Sequence, residues 1–225
     1  MAVSDTKTDK TQFTTLLFAL LVVAPLCAQT TDQLQAHGAT VAKTMYQGKS
    51  AIRLDALPNA ASGESYAVVK GSRFHNGTIE VELAGKPAAS AGPGARGFIG
   101  IAFRIQGNRF EYIYLRPTNG RADDQIRRNH STQYAQQPDF DFDRLRKESP
   151  EKYESYVDLE PGVWTKYRIV IDGGKARLFV HDAAQPCLIV NDLKLGDSEG
   201  AVALWVGPGT EGYFTHLKIT QRRAL

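Results

Sequence analysis

The chain has 225 residues, 42% hydrophobic and 23% charged, and its 27 Lys and Arg against 24 Asp and Glu leave a formal net charge of only +3. That is the composition of a globular protein long enough to bury a sizeable core. It excludes a whole-molecule field that would draw the chain to nucleic acid or to an anionic membrane.

In chain order, the first feature is an apolar run. Lys7 and Lys10 precede a stretch at 13–25 rich in Leu, Phe, Val and Ala, and Leu26-Cys27-Ala28 places a small residue before Gln29. A charged start, a short apolar run and a small residue read as a secretory signal peptide over 1–28. As a helix the run would reach only about 20 Å, short of the roughly 30 Å hydrocarbon core of a bilayer, so cleavage is expected rather than a stable membrane span. Being apolar on every side, it is also a poor amphipathic helix for packing on a domain. The remainder, 29–225, is expected to be one domain, secreted or periplasmic. Lipid attachment at Cys27 is the alternative, disfavoured because Ala24 stands where Leu is usual and Pro25-Leu26 replaces small residues. Removal of 1–28 would leave Cys187 as the one cysteine, and its apolar neighbours Leu188, Ile189 and Val190 read it as a buried small hydrophobe.

From Thr40 onward, short alternating apolar runs are separated by Gly, Pro, Asn and Asp, the signature of an all-β domain. The runs lie at 52–54, 78–83, 98–105, 110–116, 165–171, 176–180, 201–206 and 213–219. Asp172-Gly173-Gly174 predicts a hairpin between two of them. Residues 85–96, rich in Ala, Gly, Ser and Pro, read as a loop. The exception is 117–161, a long polar insertion without period-two alternation, carrying one helical turn around 142–153 and five aromatic residues that argue for order.

Two antiparallel sheets packed face to face would take Ile79, Val81, Ile99, Ile101, Phe103, Ile169, Ile171, Val202, Leu204, Leu217 and Ile219 into their core. Gly100, Ala102, Arg104, Ala201, Ala203, Trp205, Tyr112, Tyr114 and Arg116 would then share an open outer face, with small residues as floor and aromatic or charged residues as walls. Such a surface suits sugars, whose C–H faces stack on rings while their hydroxyls need fixed partners. Simple packing is the alternative for any one of the aromatics.

Phe74-His75-Asn76-Gly77-Thr78-Ile79-Glu80, the run Gly97-Phe98-Ile99-Gly100-Ile101-Ala102-Phe103-Arg104, Trp164-Thr165-Lys166, and Gly207-Pro208-Gly209-Thr210 followed by Tyr213-Phe214 are similar to concanavalin A-like lectin/glucanase jelly rolls. More narrowly, over 46–220, the chain resembles the secreted bacterial branch known as the 3-keto-disaccharide hydrolase domain, a family 16 glycoside hydrolase-like group. The resemblance implies a jelly-roll sandwich and an oligo- or polysaccharide partner. The strand of family 16 glucanases that bears two Glu flanking an Asp has no counterpart here. Glu80 and Glu82 do share a strand face, about 7 Å apart at Cα, a separation that neither class of glycosidase excludes, although solvated strand-face charges are the simpler reading.

Residues 116–134 hold four arginines, two adjacent aspartates, a histidine and several amides. Guanidinium forks bind carboxylates or pair with Asp, and amides read sugar hydroxyls. The segment leaves the end of the strand bearing Tyr112 and Tyr114, so it is expected to lie over the open face beside Trp205. His130, Asp123, Asp124 and Glu111 are the candidate acids or bases. Arg104, Tyr112, Tyr114, Arg116, Asn119, Arg121, Gln125, Arg127, Arg128, Asn129, Tyr134 and Trp205 are the candidate ligand contacts. A purely structural network of Asp123 and Asp124 with the arginines is the alternative. No cofactor is expected; one His without Cys partners is a poor transition-metal set, and of the metals only structural Ca²⁺ held by oxygens suits these groups. His37, His75, His181 and His216 read as surface or packing residues. Two functions remain open, a hydrolase acting on a glycosidic linkage and a non-catalytic secreted carbohydrate-binding module, with a surface scaffold or adhesion domain third.

Overall fold

The computed structural model describes residues 30–58, 60 and 63–222; the expected signal peptide at 1–28, with Cys27, lies outside the described residues. The described chain is a two-sheet antiparallel jelly-roll sandwich, all-β as expected. The first sheet has the order β1 (Leu34–His37), β4 (Tyr66–Val69), β13 (Ala201–Val206), β6 (Ile99–Gln106), β7 (Arg109–Leu115), β8 (Thr132–Gln137), β9 (Glu154–Ser155). The second has the order β12 (Leu188–Val190), β11 (Lys175–Val180), β10 (Thr165–Asp172), β5 (Gly77–Pro87), β14 (Thr210–Gln221), β3 (Lys49–Ala56), β2 (Ala39–Tyr46). Because the chain passes repeatedly from one sheet to the other, neither half could form without its partner face. No helix among the described residues is long and apolar enough to cross a membrane.

Period-two alternation decides which residues meet between the sheets. All of the predicted core residues, from Ile79 to Ile219, are buried. Ile101 is fully enclosed on β6, the central strand of the first sheet. Ile101→Ala is expected to cost about 2 to 5 kcal/mol, read as a lowered denaturation midpoint; an unchanged midpoint would show that this face is not the packed one. The hairpin forms as predicted: Asp172 pairs with Lys175 across Gly173-Gly174, and Gly173 takes φ +56°, a conformation that favours glycine.

Residues 117–161 are not a loop laid on a finished sandwich. They contribute β8 and β9 to the first sheet, together with the short helices α1 (Gln125–Asn129) and α2 (Phe142–Glu148). β8 escaped notice because Thr132, Gln133 and Gln136 are polar yet buried. β9 is only two residues long. The predicted helical turn at 142–153 is α2, which ends at Glu148.

Candidate functional site

The outer face of the first sheet is built from strand register. Trp205 on β13 lies opposite Gly100 on β6, which lies opposite Tyr114 on β7, which lies opposite Gln133 on β8. One row along, Ala203, Ala102, Tyr112 and Ala135 repeat the pattern. Gly100 has to be small, since a Cβ there would stand 2.1 Å from the Ile113 carbonyl oxygen and 2.6 Å from the Tyr114 Cα. Over this floor the Tyr112 and Tyr114 rings stack at 5.5 Å, and each lies 4.9 Å from the Trp205 ring. The Trp205 indole donates to the Gly63 carbonyl at 2.8 Å, fixing the ring.

These rings floor a cavity of about 380 Å³ that Gly92, Gly94, Ala95, Phe98 and Phe142 also line. Gly94, Phe98, Tyr114 and Phe142 also line a second cavity, of about 440 Å³, whose other walls are Arg96, Arg116, Asn119, Asp124, Ile126, Arg127, His130 and Arg146. The two chambers form one groove, aromatic at one end and basic at the other. Each lies within the range of ordinary small-molecule sites, about 300 to 1,000 Å³.

Arg116 organises the junction. Its guanidinium donates to Glu154 Oε1 at 2.9 Å, Gln133 Oε1 at 3.0 Å, Tyr114 Oη at 3.0 Å and the His130 carbonyl at 3.1 Å. Glu154 is also held by Arg146, whose Nε lies 2.9 Å from Oε2. Burial would raise the Glu154 pKa, but the hydrogen bonds and charge of Arg146 and Arg116 bring it below the ordinary value. His130 Nε2 lies 3.6 Å from Glu154 Oε2. Burial, with Arg146 and Arg116 nearby, lowers its pKa against the pull of Glu154.

Of the predicted site residues, Tyr112, Tyr114, Arg116, Asn119, Asp124, Arg127, His130 and Trp205 converge on the groove. Asp124 is committed to capping α1, accepting from the Arg127 amide at 2.7 Å. The rest lie elsewhere. Asp123 is exposed and Arg128 half-buried, neither lining a chamber, while Gln125 bonds Asn129 along the exposed face of α1 at 2.7 Å. Arg121 pairs with Asp158 and Glu160, at 2.8 and 2.7 Å, rather than with Asp123 or Asp124.

Arg104, Glu111 and Tyr134 correct the expected placement most sharply, because all three are enclosed within the sandwich. A register shift on β6 puts Arg104 at φ +55°, turning its side chain away from the face it would otherwise share with Gly100 and Ala102. There it lies 3.6 Å from Glu111, which accepts from Tyr134 Oη at 2.6 Å and the Leu195 amide at 3.2 Å. Burial pushes the Glu111 carboxyl above the usual range despite those bonds.

Several residues of the site were not nominated from sequence: Arg96, Phe98, Phe142 and Arg146, which line the groove, and Gln133 and Glu154, which hold Arg116 from behind it. Their one signal was proximity in the chain to segments already singled out. Among the described residues no group of three or more His, Cys, Asp or Glu is placed to hold a metal ion. Cys187 is partly buried and its thiol is pushed up to about 11 by burial. Glu80 and Glu82 sit on the outer face of the second sheet, lining a hollow of about 280 Å³ with His216 and Lys218. Glu82 takes Lys49 and His216 as partners, and Glu80 stands 3.5 Å from Lys218.

No protein-family model matches the chain, and no curated protein matches it in sequence. Among solved structures it is similar to the carbohydrate-binding module CBM66 from Bacillus subtilis, at TM-score 0.56 and 13% identity over 82% of this chain and 93% of that one. It is similar also to the exoplasmic/lumenal domain of VIP36 in its Ca²⁺/Man-bound form, at TM-score 0.53 and 13% identity over 86% and 84%. The β-glucanase of Bacillus licheniformis matches at TM-score 0.50 and 11% identity, over 90% of this chain and 100% of that one. The fold is that of the lectin and glucanase sandwiches. At identities this low the likeness is one of architecture.

Proposed function

We propose that the protein binds carbohydrate in the groove of the first sheet. The observation that carries this reading is the adjacency of the two chambers across Gly94, Phe98, Tyr114 and Phe142: one is lined by aromatic rings, of the kind that meets the C–H face of a sugar, and the other by arginines, whose guanidiniums suit its polar groups. The three related sandwiches, a carbohydrate-binding module, a Man-bound luminal domain and a β-glucanase, support it by their names.

Hydrolysis by a pair of carboxylates has less support. Glu111 is enclosed, Glu154 has both oxygens engaged by arginines, and Asp123 stands outside the chambers. One observation favours a second, catalytic reading, to which the 3-keto-disaccharide hydrolase branch belongs: His130 lines the groove, where an imidazole could serve as a proton acceptor. Under that reading His130→Ala abolishes turnover and spares retention of ligand. Either function would be exercised outside the cytoplasm if 1–28 is cleaved; mass spectrometry of the protein from its native host, finding Met1 retained, would overturn export.

The direct test is a glycan panel, with retention and product release measured side by side. Phe142 lines both chambers yet is 38% exposed, so Phe142→Ala tests the groove without emptying the core. It is expected to weaken glycan binding about two- to tenfold, the worth of one aromatic contact, at an unchanged melting temperature. Unaltered affinity would move the ligand elsewhere.

A further inference from the structure

We infer that the basic chamber of the groove is a subsite for an anionic saccharide, one bearing carboxylates or sulfate esters. The inference rests on the carbohydrate-binding reading and names its ligand class. Four guanidiniums, those of Arg96, Arg116, Arg127 and Arg146, line this chamber. Two carboxylates stand against them: Glu154, shared by Arg116 and Arg146, and Asp124, whose Oδ1 caps α1.

The guanidiniums of Arg96 and Arg127 have no carboxylate oxygen within 4.0 Å among the described residues, so the chamber holds positive charge that is not paired in direct ion pairs. Both side chains are nonetheless held in place by neutral acceptors. Arg127 donates from Nε to Asn119 Oδ1 at 2.9 Å and from Nη2 to Thr118 Oγ1 at 3.0 Å. Arg96 donates from Nη1 to the Pro93 and Ala95 carbonyls at 2.6 and 3.1 Å. Among the described residues these bonds leave the Nη1 of Arg127 and the Nε and Nη2 of Arg96 without an acceptor. Burial, and then repulsion from Arg127 and Arg116, lowers the pKa of Arg96, the mark of like charges held together.

Like charges fixed beside one another at a cavity wall cost free energy that an anion would return, and a planar guanidinium fork matches a carboxylate or sulfate with two parallel bonds. A neutral sugar would leave that repulsion in place. Phe142 and Ile126, 38% and 72% exposed, add apolar edges at the same mouth, which suits a sugar ring better than a bare inorganic ion.

The test is calorimetric titration of the full chain with oligogalacturonate and its methyl ester, and with sulfated and unsulfated dextran oligosaccharides. Each charged ligand is expected to bind at least tenfold more tightly than its neutral counterpart if its anion is the one recognised; the two pairs separate carboxylate from sulfate. Arg96→Gln and Arg127→Gln should each lose about ten- to a hundredfold, the worth of a charge-assisted hydrogen bond. Lys43→Gln, exposed on the other sheet, controls for unspecific attraction and should change nothing. Arg127 braces Asn119 and Thr118, so if Arg127→Gln does not fold, Arg96→Gln decides alone. Equal affinity for charged and neutral forms, or an equal loss in Lys43→Gln, overturns the anionic subsite and leaves the carbohydrate groove standing. Binding of none of the four overturns the anionic subsite as well, and the glycan panel then decides the carbohydrate groove by itself.

Discussion

Glu154→Ala is expected to destabilise the fold by about 3 to 5 kcal/mol, read as a fall in the denaturation midpoint. The Glu154 side chain is 2% exposed and that of Arg116 5%, so removing the carboxylate leaves a buried guanidinium without its counter-charge. Arg116 in turn holds Tyr114, Gln133 and the His130 carbonyl, so the loss spreads through the junction of the two chambers. Because the folded-state pKa of Glu154 is lowered, its contribution is present above the ordinary glutamate value of 4.5 and disappears as pH falls through the lowered one. Asp192 behaves in the same sense. Burial would raise it, but Lys152, Tyr153 and Lys194 hold it at about 2. The wild type should therefore lose stability steadily below pH 4.5, with a last component near pH 2, and Glu154→Ala should flatten the upper part of that fall. An acid transition identical in shape in the variant would show that Glu154 is not ionised in the buried pair.

The fold was legible because alternation is a local signal. In β5, Ile79, Val81 and Leu83 point one way and Glu80 and Glu82 the other, and the Gly173-Gly174 turn fixes the β10–β11 register in two residues. The aromatic half of the groove followed from the same signal, since Tyr112, Tyr114 and Trp205 sit on predicted strands. Their near-complete burial was not legible, because the segments beside them, the loop around Gly94 and the start of α2 at Phe142, follow paths that no periodicity announces. Glu154 was invisible for a related reason: it pairs with Arg116 across 38 residues, and nothing in either segment marks the other as its partner. Arg104 failed differently. A regular strand would have placed it with Gly100 and Ala102, and a single shift of register at a bulge reversed it.

Arg104→Ala is expected to cost a further about 3 to 5 kcal/mol in its own right, yet to leave glycan affinity per folded molecule unchanged. Arg104 is fully buried and ties three segments together, donating to the Gly173 carbonyl at 2.7 Å, to the His75 carbonyl at 3.2 Å and to the Gly196 carbonyl. Its removal strands those acceptors and withdraws the cation 3.6 Å from Glu111. Glu111 should then shift further toward its protonated form, since burial already raises its pKa and Arg104 is one of the groups opposing that rise. With its pKa raised, Glu111 favours folding most at low pH, below its unfolded value, and that contribution is lost as pH rises through the folded one, the opposite sense to Glu154. The stability of Arg104→Ala should consequently fall more slowly in acid than that of the wild type. Glu111→Gln is the companion measurement: it keeps the shape and the acceptor for Tyr134, and with no group in either chamber it should leave binding and any turnover intact. Loss of turnover in a well-folded Glu111→Gln protein would return this carboxyl to the chemistry and move the reacting bond out of the groove.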